Sequence, residues 1–307
     1  MRAIVCANSA LGVACLATLL DLGADVAAVL THPDDPHERA WFGSVAEEAV
    51  AGGLPVFTDE RLDTPEWLAR LRGWRADFLF SFYYRRLLPP AVLEVATRGA
   101  LNLHGSLLPR YRGRAPTNWA LIYGERETGV TLHHMVERAD AGDIVAQRRV
   151  PIADDDTALT LYRKQTAAAA ALLREVYPSL CDGSAPRRPM RLAAGFYCGR
   201  RTAADGRLDW RRGARTLYDL VRAVTHPYPG AFALWRETPL RIWWAEVVRD
   251  AATAGAPGTV AAIDDGVVVE TGEGRLRLLR VQAADDEERP AAEWARRAAI
   301  AAGTVLT

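Results

Sequence analysis

The sequence predicts a two-part α/β protein: an open, mostly parallel sheet with helices on both faces, followed by a small β-barrel. Three observations carry that expectation. Helix-like and strand-like runs alternate through the first two-thirds of the 307 residues, as parallel strands joined by crossover helices do. A stretch rich in Pro, Gly and Arg over 181–189 then reads as a connector. Beyond it the chain breaks into short β-like runs at regular spacing, the pattern of a small barrel. The length suits one large domain and one smaller one, placed at 1–188 and 189–307.

The opening 20 residues have a basic start and an apolar stretch, as a short secretory signal does. Asn8 and Ser9 interrupt that stretch, so the reading adopted is a strand over 4–7, a helix over 11–22 and a strand over 26–30. Next come a helix over 44–51, a short strand over 55–57, a helix over 65–73, a strand over 77–82 and a helix over 89–96. A strand ending in Asn102 and His104 follows, then a β-rich run over 130–136. An alanine-rich helix over 157–180, capped by Asp156, closes the first domain. In the second, a helix over 214–224 stops ahead of Pro227, and strands are expected over 231–235, 240–248, 258–263, 266–271 and 275–281. The mixed-charge segment 285–290 reads as a solvated loop.

Composition narrows the function classes. Half of the residues are hydrophobic, which suits a globular protein with a substantial core. Lys plus Arg and Asp plus Glu number 38 each, so the net charge is zero and broad electrostatic capture of nucleic acid is disfavoured. No apolar run reaches the roughly 18 residues that a membrane span needs. Cys6, Cys15, Cys181 and Cys198 are scattered, with no metal-ligand spacing, and read as reduced, mostly buried thiols of a cytoplasmic protein. The turn after the first strand lacks the G-x-G-x-x-G pattern, so no bound dinucleotide is expected.

Asn102 and His104 are the candidates for chemistry. Two residues apart at a strand end, their side chains share one face, and an irregular loop with Pro109, Arg110, Arg112, Arg114 and Pro116 follows. Open α/β sheets place their sites at such strand ends. A polar turn downstream carries Asp140 and Asp143 around Gly142, and a carboxylate there would orient His104 and favour its protonated form. These residues alone leave two readings open: catalysis, or a strand end whose polar groups only satisfy loop backbone. His133 and His134 lie within the β-rich run and read as one inward and one outward side chain, in packing or solvent roles.

The two segments together resemble the folate-dependent formyltransferases, whose signature pairs an Asn-x-His strand end with a downstream aspartate in an Asp-x-Gly context. Residues 81–89, 101–116, 136–147, 199–210 and 220–232 are similar to the sugar-nucleotide branch of that family, in particular to the domain of bifunctional polymyxin-resistance enzymes that formylates UDP-4-amino-4-deoxy-L-arabinose. The dehydrogenase domain of those enzymes is not represented in these residues. The resemblance implies a Rossmann-like catalytic domain, an OB-like barrel after it, 10-formyltetrahydrofolate as formyl donor without a metal, and a nucleotide-linked amino sugar as acceptor.

It also implies site residues. Asn102, His104 and Asp140 would be catalytic. Arg86, Leu87, Leu88, Arg114, Val136, Glu137, Arg138, Ala139 and Asp140 would line the folate pocket. Arg201, Arg222 and Tyr228 are substrate-side candidates, since arginine suits a diphosphate and tyrosine stacks on a base. A tRNA-binding relative has a basic insertion after its second strand. Here Asp34, Asp35 and Glu38 stand against Arg39 in a short segment, so no nucleic-acid partner is expected. A folate hydrolase with water as acceptor is the alternative within the family, and homo-oligomer formation is left open. A non-catalytic sensor would need the triad lost, and all three residues are present.

Overall fold

A computed structural model describes residues 1–33, 43–58, 61–249, 253–284 and 286–307. Asp34, Asp35, Glu38, Arg39 and Asp285 therefore lie outside the described residues. By internal packing the rest forms two compact units that interleave along the chain. The first comprises Met1–Pro116, Glu127–Pro151 and Arg163–Cys198; the second comprises Thr117–Arg126, Ile152–Tyr162 and Gly199–Thr307.

The first unit is built on a seven-stranded sheet. Its strands are β1 (Arg2–Ala7), β2 (Asp25–Thr31), β3 (Val56–Thr58), β4 (Phe78–Phe82), β5 (Ala100–His104), β7 (Glu127–His134) and β8 (Ile144–Pro151), in the order β3-β2-β1-β4-β5-β7-β8. The pairs from β3 through β5 are parallel, and only β5–β7 and β7–β8 are antiparallel. The expected mostly parallel sheet is present. Its central strands are apolar runs, with Ala3 to Ala7 and Leu79, Phe80 and Phe82 fully buried, as a sheet covered on both faces requires. Successive connections leave β1 in opposite directions, to β2 on one side and β4 on the other, and such a switch opens a crevice at the carboxyl ends of the strands.

The helices follow from local chemistry. α1 (Ser9–Asp21) buries Leu11, Cys15, Leu16 and Leu19 along one stripe. α2 (Val45–Ala51) starts at Ser44, whose hydroxyl accepts from the N–H groups of Ala46 and Glu47, and α3 (Pro65–Gly73) starts at Thr64, which accepts from Trp67 N–H at 3.2 Å. The helix expected over 89–96 is a single turn, α4 (Pro90–Leu93). The long helix is α6 (Ala158–Asp182), but its cap is Thr157, whose hydroxyl accepts from Thr160 N–H at 3.2 Å. Asp156 instead braces the preceding turn, accepting from Ala153 N–H at 2.7 Å.

In the second unit, β10 (Ala231–Trp235), β11 (Thr238–Val248), β12 (Val260–Ile263), β13 (Val267–Glu270) and β14 (Arg275–Ala283) form an antiparallel sheet in the order β10-β11-β14-β13-β12. A short strand, β15 (Arg289–Pro290), pairs with β14 inside the segment expected to be a loop. Among the elements that carried no sequence expectation are α5 (Pro116–Ile122), β8 and α8 (Ala291–Arg297). Helix α7 (Ala214–Val224) lies where the pattern placed it. Cys6, Cys15 and Cys198 are buried and Cys181 is exposed. Among the described residues no helix is long and apolar enough to cross a membrane.

Candidate active site

Strand β5 ends beside β4 at the crevice, and its alternation turns Asn102 and His104 to one face. His104 is 7% exposed, and its Nε2 lies 2.8 Å from the carbonyl oxygen of Tyr111. A carbonyl only accepts, so Nε2 carries the proton and Nδ1 is the nitrogen left for chemistry. Nδ1 faces Asp140 Oδ1 at 3.6 Å. With Nε2–H held by Tyr111, a proton taken up at Nδ1 during reaction would lie opposite the Asp140 carboxylate.

Asp140 sits in the polar turn at φ +52, a conformation that aspartate tolerates better than most residues. Its Oδ2 accepts from Gly113 N–H at 2.8 Å. Burial pushes the carboxyl up, but the neighbouring His104 imidazole and the Gly113 N–H outweigh it and hold the carboxyl well below the usual carboxylate range. The sign follows from linkage. A depressed folded value contributes stability that is present above the unfolded value near about 4 and lost as pH falls through the folded one. Gly142 lets the turn close here, because a Cβ would lie 2.1 Å from the carbonyl oxygen of His134. Asp143 faces away from this cluster, with Oδ2 2.8 Å from Arg187 Nε.

His133 joins the site, against the packing role expected for it. It is 1% exposed and stands directly opposite Asn102 in the antiparallel β5–β7 register. Its Nδ1 donates to the carbonyl oxygen of His134 at 2.8 Å, which leaves Nε2 as an acceptor for the Asn102 amide at 3.1 Å. One amide hydrogen of Asn102 is thereby held, and the second reaches Asp140 Oδ1 only at 3.5 Å, a long contact that a ligand oxygen can replace. His134 is pushed below its ordinary value by burial and by Arg187.

These groups line a cavity of about 510 Å³. Arg86, Leu87, Leu88, Arg114, Val136, Glu137 and Ala139 line it too, whereas Arg138 is not among the lining residues. Leu87 is 79% and Val136 42% exposed, so the rim carries bare apolar side chains that a folded protein ordinarily covers. Ser81, Tyr83, Tyr84 and Tyr197 also contribute and were not expected from the sequence.

Arg201, Arg222 and Tyr228 all belong to the second unit and none lines this cavity. The Arg201 guanidinium carbon lies 4.9 Å from the Trp119 ring centroid. Tyr228 is half-buried. Arg222 is 3% exposed: Nε bonds Asp219 Oδ1 at 2.7 Å, and Nη1 bonds the carbonyl oxygens of Ala153 and Asp156 at 3.0 Å each. These bonds make it a brace between its helix and the turn at 153–156. Arg222→Met is expected to cost about 3 kcal/mol of stability, as removal of one partner of a buried pair does, while kcat/KM per folded molecule stays within about threefold. Thermal unfolding with active-site titration checks this, and a collapse of substrate binding in a protein of unchanged Tm would show that Arg222 contacts substrate.

The arrangement is an amide donor, an imidazole and a carboxylate converging on an apolar-rimmed cavity. The family model for formyl transferase matches residues 5–177, which include Asn102, His104 and Asp140, and that for the formyl transferase C-terminal domain matches residues 200–299. The chain belongs to the formyl transferase family. It is a transferase enzyme.

Solved structures agree on the formyl transferase fold. A sugar 3N-formyl transferase, WlaRD, solved in the presence of dTDP and 5-N-formyl-THF, is 16% identical at a TM-score of 0.72, covering 94% of this chain and 99% of its own. An N-formyltransferase from Helicobacter canadensis, in complex with folinic acid and dTDP-3-aminofucose, is 19% identical at a TM-score of 0.70, covering 92% of this chain and 98% of its own. HypX from Aquifex aeolicus in complex with tetrahydrofolic acid is 21% identical at a TM-score of 0.66; the match covers 96% of this chain but 47% of HypX.

Proposed function

We propose that this formyl transferase moves a formyl group from 10-formyltetrahydrofolate to the primary amine of a nucleotide-linked amino sugar. The observation that carries the reading is the convergence of Asn102, His104 and Asp140 on one cavity. The donor supplies an activated formyl carbon. Exposed Leu87 and Val136 suit the faces of a flat heterocycle, and Arg86 and Arg114 suit carboxylates at the end of a folate tail. The three relatives above, solved with a folate or a dTDP compound, point the same way.

The chemistry follows from the geometry. When a neutral amine attacks the formyl carbon, the C=O electron pair moves to oxygen. The amide hydrogen of Asn102 that otherwise makes the long contact with Asp140 stabilises that oxyanion, a contribution of about 3 kcal/mol where comparable donors have been removed. The bond to the folate nitrogen then breaks, the amine gives up a proton and the folate nitrogen gains one. His104 Nδ1 is the atom placed to pass that proton, with Asp140 stabilising the imidazolium.

The acceptor we favour is UDP-4-amino-4-deoxy-L-arabinose, on motifs shared with the formyltransferase domain of ArnA at 81–89, 101–116 and 220–232. A dTDP- or GDP-linked amino sugar is the second reading, favoured by the dTDP compounds in two relatives. We also propose that the C-terminal sheet is an OB-like barrel. The boundary at residues 188 and 189 falls between the two family matches, 5–177 and 200–299. Isothermal titration separates the bases. UDP is expected to bind more tightly than dTDP or GDP. Tighter dTDP or GDP moves the enzyme to another amino sugar and leaves the formyl chemistry standing.

A further inference from the structure

A two-residue parallel ribbon holds the loop that carries both partners of the catalytic pair. Strand β6 (Arg112–Gly113) pairs with β9 (Tyr197–Cys198). Alternate backbone groups of a parallel strand point to opposite sides. Arg112 N–H donates to the Phe196 carbonyl at 3.1 Å and Arg114 N–H to the Cys198 carbonyl at 3.0 Å. Gly113, between them, turns its N–H the other way, to Asp140 Oδ2 at 2.8 Å. The same loop supplies the Tyr111 carbonyl that fixes His104 Nε2 at 2.8 Å.

Residues 195–198 grip this loop at further points. The Phe196 ring meets the Tyr111 ring edge-on, with centroids 4.8 Å apart at 71°. Gly195 passes so close to Pro109 that a Cβ would lie 2.0 Å from its carbonyl oxygen. One short segment therefore bears on both the Tyr111 carbonyl and the Gly113 N–H, the two backbone groups that set His104 and Asp140.

We propose that residues 195–198 are a positioning strap for His104 and Asp140, with Phe196 as its key side chain. The strap rests on the catalytic reading above. It sits immediately before residue 199, where the second unit resumes, so the segment leading into that unit also sets the geometry of the catalytic pair. Tyr197 also lines the cavity, whereas Phe196 is not among the lining residues and acts through the loop. Misplacement of a catalytic group by about 1 Å costs up to about a hundredfold in rate, so a small shift of this loop is enough to be measured.

The test is a double-mutant cycle in the full chain, with steady-state kinetics on 10-formyltetrahydrofolate and the amino-sugar acceptor. Phe196→Ala is expected to lower kcat about tenfold while both KM values stay within about twofold, and Phe196→Tyr is expected to restore it. In a His104→Ala background Phe196→Ala should add almost nothing, because residues acting through one group are non-additive. Additive losses, a change in KM alone, or unchanged kcat in a protein that His104→Ala inactivates would each overturn the strap and leave the catalytic reading intact. Near-normal kcat for His104→Ala overturns both. If Phe196→Ala does not fold, Phe196→Leu, which keeps apolar volume without the ring edge, is read by the same criteria.

Discussion

His104→Ala is expected to lower kcat by at least about a hundredfold in a protein that unfolds at close to the native temperature. The size follows from its role as an imidazole whose Nδ1 is turned to the catalytic carboxylate while Nε2 is fixed on the Tyr111 carbonyl. Alanine removes the proton carrier and leaves Asp140 facing an uncharged space. Stability should fall only modestly, because the strand around His104 is held by β4 and β7 on either side. The check is steady-state kinetics beside thermal unfolding. A folded mutant with near-normal turnover would remove His104 from the mechanism.

Asp140→Asn is expected to lower kcat by a similar factor. The carboxylate has two assignments: Oδ2 on the Gly113 N–H and Oδ1 toward His104 and His133. An asparagine keeping the Gly113 bond through its oxygen must turn its NH₂ toward His104. That donor cannot balance the charge that Nδ1 gains while it carries a proton, so turnover falls in a protein that still folds. Near-normal turnover in the folded mutant would mean that Asp140 shapes the cavity without acting on His104. Asp143→Asn is the control, with a mild effect expected, since its pair with Arg187 is largely exposed.

The parallel sheet and the shared face of Asn102 and His104 were legible because both are local patterns, whereas Asp140 entered through the family resemblance. Strand and helix periods mark β1 to β5, and a two-residue spacing places Asn102 and His104 on one face. His133 was not legible in that way. Its role depends on the β5–β7 register, which sets it opposite Asn102 across 31 residues of sequence. Arg222 looked like a diphosphate ligand by residue type alone, yet Asp219 stands three positions earlier on α7, where a helix brings such pairs together. Strand β8 was hidden because Arg148 and Arg149 interrupt its apolar pattern, as charged residues do on edge strands. The β6–β9 ribbon has no sequence period at all; two residues on each side are too few.

The central claim is that this cavity passes a formyl group to an amine. The most direct measurement supplies 10-formyltetrahydrofolate labelled with carbon-13 in the formyl carbon, together with a panel of nucleotide-linked amino sugars, and follows the label by mass spectrometry. Wild type is expected to place the label on the amine of one sugar nucleotide, at a rate that depends on the acceptor and falls by at least about a hundredfold in His104→Ala. Labelled formate released at the same rate with or without any amine would contradict the account and make the chain a hydrolase.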